Sequence, residues 1–276
     1  MTIPKIIHQL WIGDKPAPFN LMNSVKDMNP DFEYVFWNEE KLKELTITKK
    51  YSQKITLMEE LNGKADMYRW IILEKYGGVF VDADMISIEP IDDFLLNTPF
   101  FCFENEMVRP GLCATTIMGF TKEHIIPKLS IDWIMNNRIT SPAWISVGPQ
   151  LLTNIYNSIR STGTAGVVIY PSYYFLPDHH TGKKYNGHGK VYMCHEWGST
   201  RNNYDQMNNM EIPSHHKKPK QSIDITINPT STKNELKEIM NGCKNMIGNF
   251  KINIIYDGEL DILKYLKSSR FIFLKL

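Results

Sequence analysis

The stretch Lys64-Ala65-Asp66-Met67-Tyr68-Arg69-Trp70-Ile71-Ile72-Leu73-Glu74-Lys75-Tyr76-Gly77-Gly78-Val79-Phe80-Val81-Asp82-Ala83-Asp84 decides the fold. From Lys64 to Lys75 the pattern is helical, Tyr76-Gly77-Gly78 stops it, and Val79-Phe80-Val81 resumes as strand. Working outward, Ile6 to Ile12 is an apolar run closed by Gly13, Pro16 and Pro18, the mark of a buried strand entering a loop. Tyr34 to Trp37 reads as a second strand after the turn-like Asn29-Pro30-Asp31. Phe100 to Phe103 and a helical Gln150 to Arg160 continue the alternation. These elements predict an α/β fold, a mostly parallel sheet with helices on both faces.

The same stretch carries the chemistry. Along a strand, residues i and i+2 project to one side, so Asp82 and Asp84 aim two carboxylates at one point while Ala83 faces away. Such a pair suits a hard divalent cation with oxygen ligands, Mn2+ or Mg2+. A lone D-x-D is more often a solvated turn, and Asp66 with Arg69, three apart on a helix, matches an ordinary surface ion pair equally well. The join shifts the balance: an apolar strand leading into two carboxylates belongs inside a sheet, where like charges repel unless a cation lies between them.

Composition narrows the partner. The 276 residues hold 31 Lys and Arg against 30 Asp and Glu, a net charge of +1, which argues against a nucleic-acid binder. With 42% hydrophobic and 12% aromatic residues the chain can bury a sizeable core. No apolar run approaches the roughly 18 residues needed to cross a bilayer, and no signal-peptide pattern follows Met1, so a cytoplasmic location is expected. Cys102, Cys113, Cys194 and Cys243 are far apart, which predicts reduced thiols. Pro177 to Lys190 reads as a mobile loop and Thr200 to Gln221 as a polar linker. Beyond it, Ile223 to Ile227, Asn234 to Asn249, Lys251 to Ile255 and Phe271 to Leu274 predict a small βαβ-like extension.

The motif Asp66-x-x-Arg69 followed by Tyr76-Gly77-Gly78-Val79-Phe80-Val81-Asp82-Ala83-Asp84 resembles the D-x-D sugar-binding region of glycosyltransferase family 32, and is similar to the glucosyltransferase domains of clostridial toxins. Ile3 to Gly13 resembles the family's first strand, Gly148-Pro149-Gln150-Leu151-Leu152-Thr153 a further segment, and Val191 to Ser199 the late segment that completes the metal site. The resemblance spans about residues 3 to 199. It implies a GT-A (Rossmann-like) catalytic domain over residues 1–200, a linker over 201–221 and a small α/β extension over 222–276.

The implied activity is metal-dependent hexosyl transfer, with retention, from a nucleoside diphosphate sugar to a glycan, protein or lipid hydroxyl. A UDP-hexose is the favoured donor and GDP-mannose the alternative. A nucleotide-sugar hydrolase and a non-catalytic glycan-binding protein are the competing readings. The resemblance implies a metal held by Asp82, Asp84 and His195, and a neutral imidazole is a good ligand for Mn2+. It further implies catalytic roles for Asp66, Arg69 and Asp84, and a donor site of Trp11, Asp66, Arg69, Asp82, Ala83, Gly198 and Ser199. Trp11 would pack on the nucleobase, although a tryptophan after a buried strand is as readily a core residue. Phe80 stands where toxin relatives carry tyrosine, and Thr200 where many relatives carry tryptophan. Among other residues, Lys183 and Lys184 with His179 and His180 read as a solvated loop or a basic lid over the diphosphate. One of Glu104, Asn105 and Glu106, after a central strand, would face the acceptor.

Overall fold

A computed structural model describes residues 2–163, 166–185, 187, 189–212 and the segments 222–227, 251–256 and 271–275. Its elements in chain order are β1 (Ile6–Leu10), α1 (Phe19–Met28), β2 (Glu33–Trp37), α2 (Glu39–Glu44), α3 (Thr46–Thr56), α4 (Leu61–Tyr76), β3 (Gly78–Val81), β4 (Met85–Ser87), β5 (Phe100–Asn105) and β6 (Arg109–Phe120). They continue with α5 (Ile125–Asn136), α6 (Ala143–Ser146), α7 (Pro149–Ile159), β7 (Val168–Tyr170), β8 (Met193–His195), α8 (Gly198–Arg201), α9 (Tyr204–Met207), β9 (Ser222–Ile227), β10 (Lys251–Tyr256) and β11 (Phe271–Lys275).

Six strands form the main sheet in the order β2-β1-β3-β6-β5-β7. β1 pairs parallel with β2 and β3, and β5 with β7, while β6 runs antiparallel to both neighbours. The α/β class and mostly parallel sheet are therefore as expected, and the parallel strands all end at one edge. β6, at 12 residues the longest strand, is absent from the sequence reading. One face is covered by α4, α5 and α7 around Trp70, Ile72, Phe101, Met118 and Leu152. The other face departs from the expected helical cover: its core joins Val25 of α1 to short 3-10 turns at Asp93–Asn97 and Ser172–Tyr174, through Leu95, Tyr173 and Tyr174.

The helix-to-strand join has a steric reason. Gly77 (φ +65°) closes α4 with its N–H on the Leu73 carbonyl, and a Cβ there would lie 2.6 Å from the Lys122 nitrogen. Gly78 (φ +92°) passes so close to β1 that a Cβ would meet the Ile6 carbonyl oxygen at 2.7 Å. Only glycine meets both demands. His8 fastens the join, its Nε2 2.9 Å from the Gly77 carbonyl oxygen and its Nδ1 accepting from Trp37 Nε1 at 3.1 Å. Burial pushes its pKa down to about 4, so the ring is neutral.

The chain divides into two compact units, Met1–Tyr185 with Val191–Ser214, and Asn186–Lys190 with His215–Leu276. In the second, β9, β10 and β11 form a parallel sheet in the order β11-β10-β9; the helix expected over Asn234 to Asn249 lies outside the described residues. Residues 200–212, read as the start of a linker, carry α9 and bury Met207 completely. Cys102 and Cys113 are buried free thiols and Cys194 is a partly buried one, as expected; Cys243 lies outside the described residues. Among the described residues no helix is long and apolar enough to cross a membrane.

Candidate active site

Val81 is the last residue of β3, so Asp82 and Asp84 are not alternate positions of a continuing strand. Asp82-Ala83-Asp84 is a turn closed by the Met85 N–H on the Asp82 carbonyl at 3.2 Å. The turn, not the pleat, gathers the two carboxylates. Its first residue is fixed from both sides: the Asp82 N–H donates to the Thr116 carbonyl of β6 at 2.9 Å, and Gln9 Nε2 of β1 donates to the Asp82 carbonyl at 3.0 Å.

β4 then pairs antiparallel with β8, Met85 opposite His195. That register carries an imidazole across 111 residues of sequence to Asp84, with His195 Nε2 3.1 Å from Oδ1. Asp84 Oδ2 accepts the Gly198 N–H at 2.7 Å. Asp82, Asp84 and His195 each offer one ligand atom, all within 4.8 Å of one another. A cation with bonds of about 2.1 Å holds its ligand atoms roughly 3 to 4 Å apart, so small side-chain adjustments suffice. His195 Nδ1 is buried with no hydrogen-bond partner, a cost that one satisfied arrangement of the ring around a cation would remove. Two carboxylates and an imidazole suit Mn2+ or Mg2+, Mn2+ the better for its tolerance of nitrogen.

The remaining predicted residues surround this point. Asp66 and Arg69 are not a surface pair: both are buried, and Arg69 reaches Asp66 with one terminal nitrogen and Asp82 with the other. Its guanidinium lies over the Phe80 ring at 4.9 Å. Ala83 is buried beneath the turn. Trp11 is partly exposed, meets Tyr204 edge-on at 4.9 Å and donates its indole N–H to the Lys15 carbonyl. Ser199 is exposed and hydrogen-bonded to Tyr204.

The structure also gives places in the site to Trp197 and Gly148, which the family-like segments contain without an assigned role. Trp197 takes the left-handed conformation (φ +57°), donates its indole N–H to the Asp178 carbonyl at 2.8 Å, and packs against His195 at 4.4 Å and His179 at 5.0 Å. Gly148 lies where a Cβ would be 2.5 Å from Asp66 Oδ2, which accounts for the glycine of the Gly148-Pro149 segment. The loop from Pro177 is not the solvated run expected at His179: that side chain is fully buried, and residues 177–185 fold back through an Asp178 to Lys184 bridge. Lys184 pairs with Asp178 at 3.2 Å. A cleft of about 190 Å³ opens here, lined by Asp178, Lys184, His195, Glu196 and Arg201 among others.

The charges are strained. Burial pushes Asp82 up to about 6, Arg69 pulling against it and Asp84 adding to it. Asp84 is lowered: burial opposes its charge, but His195 and the Gly198 N–H outweigh it. Burial likewise works against a protonated His195, and Asp84 overcomes it, so the imidazole is raised. A cation held here would compete with protons for His195 and, below about pH 6, for Asp82. Mn2+ binding is expected to tighten at least about tenfold between pH 5.5 and 7.5 and to release protons. Calorimetric titration in buffers of different ionisation enthalpy checks this; an affinity independent of pH would remove these residues as the ligand set.

Residues 19–101 match the family model described as a glycosyltransferase sugar-binding region containing a DXD motif. The chain is 28% identical over 222 residues to inositol phosphoceramide mannosyltransferase 3 of Schizosaccharomyces pombe, covering 71% of this chain and 60% of the relative. It is 31% identical over 107 residues to the initiation-specific alpha-1,6-mannosyltransferase of Candida albicans, covering 34% of this chain and 28% of the relative. Among solved structures, the PaToxG glycosyltransferase aligns with a TM-score of 0.48 and 18% identity, over 59% of this chain and 72% of that one. The chain thus spans about 60% of the length of the first of these relatives.

Proposed function

We propose that the chain transfers a hexose from a nucleoside diphosphate sugar to an acceptor hydroxyl, with retention, using a divalent cation at Asp82, Asp84 and His195. One observation carries the reading: within the span that matches the DXD-containing family, a two-carboxylate turn, Asp84 buried and Asp82 partly so, meets an imidazole delivered by a distant strand. The names of the relatives favour a mannosyl donor over the UDP-hexose that the sequence resemblance put first.

A divalent cation there supplies positive charge to neutralise the diphosphate leaving group. The protein's own residues hold everything else. Arg69 is committed to two carboxylates, so it acts as a clamp that fixes the direction of Asp66 and Asp82, and Asp66 accepts sugar hydroxyls. Trp11 at the end of β1 and Ser199 at the start of α8 flank the donor, and Ala83 keeps the turn thin enough for its approach. Such fixed placement is where orientation lowers a barrier.

The test is release of nucleoside diphosphate from GDP-mannose, UDP-galactose, UDP-glucose and UDP-GlcNAc with Mn2+. Chelator-sensitive release greatest from GDP-mannose is the expected result. Release greatest from a UDP-sugar overturns the mannosyl assignment, and none from any donor overturns the transferase.

A further inference from the structure

A second cluster lies at the same edge of the sheet, and the donor chemistry does not use it. Glu104, next to the end of β5, is buried, and its Oε1 meets His179 Nε2 at 3.2 Å and Arg109 at 3.4 Å. Arg109 is the first residue of β6, and its guanidinium lies over the Trp144 ring at 5.0 Å. Trp144 in turn is a neighbour of the donor residues: a Cβ on Gly148 would lie 3.3 Å from the Trp144 Cα and 2.5 Å from Asp66 Oδ2. The other two polar residues of the strand end are occupied otherwise. Asn105 caps the Met107 and Val108 N–H groups, and Glu106 accepts from the Ser172 N–H and hydroxyl.

We infer that Trp144, Arg109 and Glu104 form the acceptor subsite, which takes a cyclic polyol, a sugar or inositol ring. An indole face covers the apolar C–H side of such a ring, while a carboxylate and a guanidinium answer its hydroxyls as acceptor and donor. His179, fully buried, acts as a positioning residue that orients Glu104. Position supports the assignment: an acceptor must lie beside the sugar being transferred, and the Trp144 backbone and the Asp66 carboxylate both close on Gly148, with the Trp144 ring turned to Arg109. The inference rests on the proposed transferase activity for its place in the reaction, and the binding test stands apart from it.

Saturation-transfer NMR with methyl α-mannoside and with myo-inositol reads binding without turnover. At least one should bind the wild-type protein, the stronger identifying the ring; Trp144→Ala should abolish that signal and Trp144→Phe retain it. In donor turnover with Mn2+, the ratio of transfer to hydrolysis at low acceptor concentration should fall at least tenfold in Trp144→Ala and in Glu104→Gln. Binding of neither polyol, or binding and ratio unchanged in Trp144→Ala, overturns the subsite. Polyol binding that needs Trp144 in a protein turning over no donor upholds the subsite and overturns the transferase instead.

Discussion

Asp84→Ala is expected to lower metal-dependent donor turnover by about a thousandfold. A metal at a leaving diphosphate supplies several kcal/mol of transition-state stabilisation, and each 1.36 kcal/mol is tenfold in rate. Asp84 is the residue on which the site converges, since it touches His195 through one oxygen and the Gly198 N–H through the other. Removing it leaves the imidazole and the amide without their acceptor. Asp84→Asn keeps the shape and the amide contact, so it separates loss of ligand charge from loss of structure. Steady-state release of nucleoside diphosphate by both variants, with thermal melting as a control for folding, is the measurement. Turnover within tenfold of wild type in Asp84→Asn would defeat the assignment.

Arg69→Met should cost about 3 to 5 kcal/mol of stability at pH 7.5, the range for breaking a buried charge pair from one side. Arg69 is only 5% exposed and is shared by two carboxylates. Its Nε is buried without a partner, so the group has already given up solvation for these contacts. Burial raises both Asp66 and Asp82 even with the guanidinium present, Asp82 to about 6. Without it both climb further. Carboxylates raised in the folded state favour folding below their unfolded pKa, and that contribution is lost as pH rises through the folded one. The variant's deficit should therefore shrink as pH falls from 7.5 towards 5. Urea denaturation at the two pH values checks size and sign, and a loss under about 1 kcal/mol at pH 7.5 would mean an exposed pair after all.

What the sequence made legible was local. The Gly77-Gly78 stop, the apolar β1 and β3 and the three-residue spacing of Asp66 and Arg69 all follow from neighbours in the chain, and each is present. β6 escaped because Pro110, Gly111 and Gly119 break its pattern, and from Cys113 to Phe120 it is buried without alternation. The turn at Asp82 and Asp84 is hidden for a related reason: three residues after an apolar strand look the same whether the strand continues or turns. His195 was found through resemblance to a family segment, because the register of Met85 with His195 is invisible in either strand alone. His179 looked solvated by composition. Its burial depends on Glu104, 75 residues earlier, which no local window contains.

The ladder between β4 and β8 is only three residues long on each side and joins segments more than a hundred residues apart. Closing so long a loop is slow and is repaid late in folding. The Asp82-Ala83-Asp84 turn is local and held by β1 and β6, whereas the imidazole reaches it only through this short ladder, so the expected weak point is the His195 contact. This ladder is a separate two-stranded sheet, and none of its pairs belongs to the six-stranded one. A ligand that bridged Asp84 and His195 would add to the three rungs of this ladder and hold the two strands together.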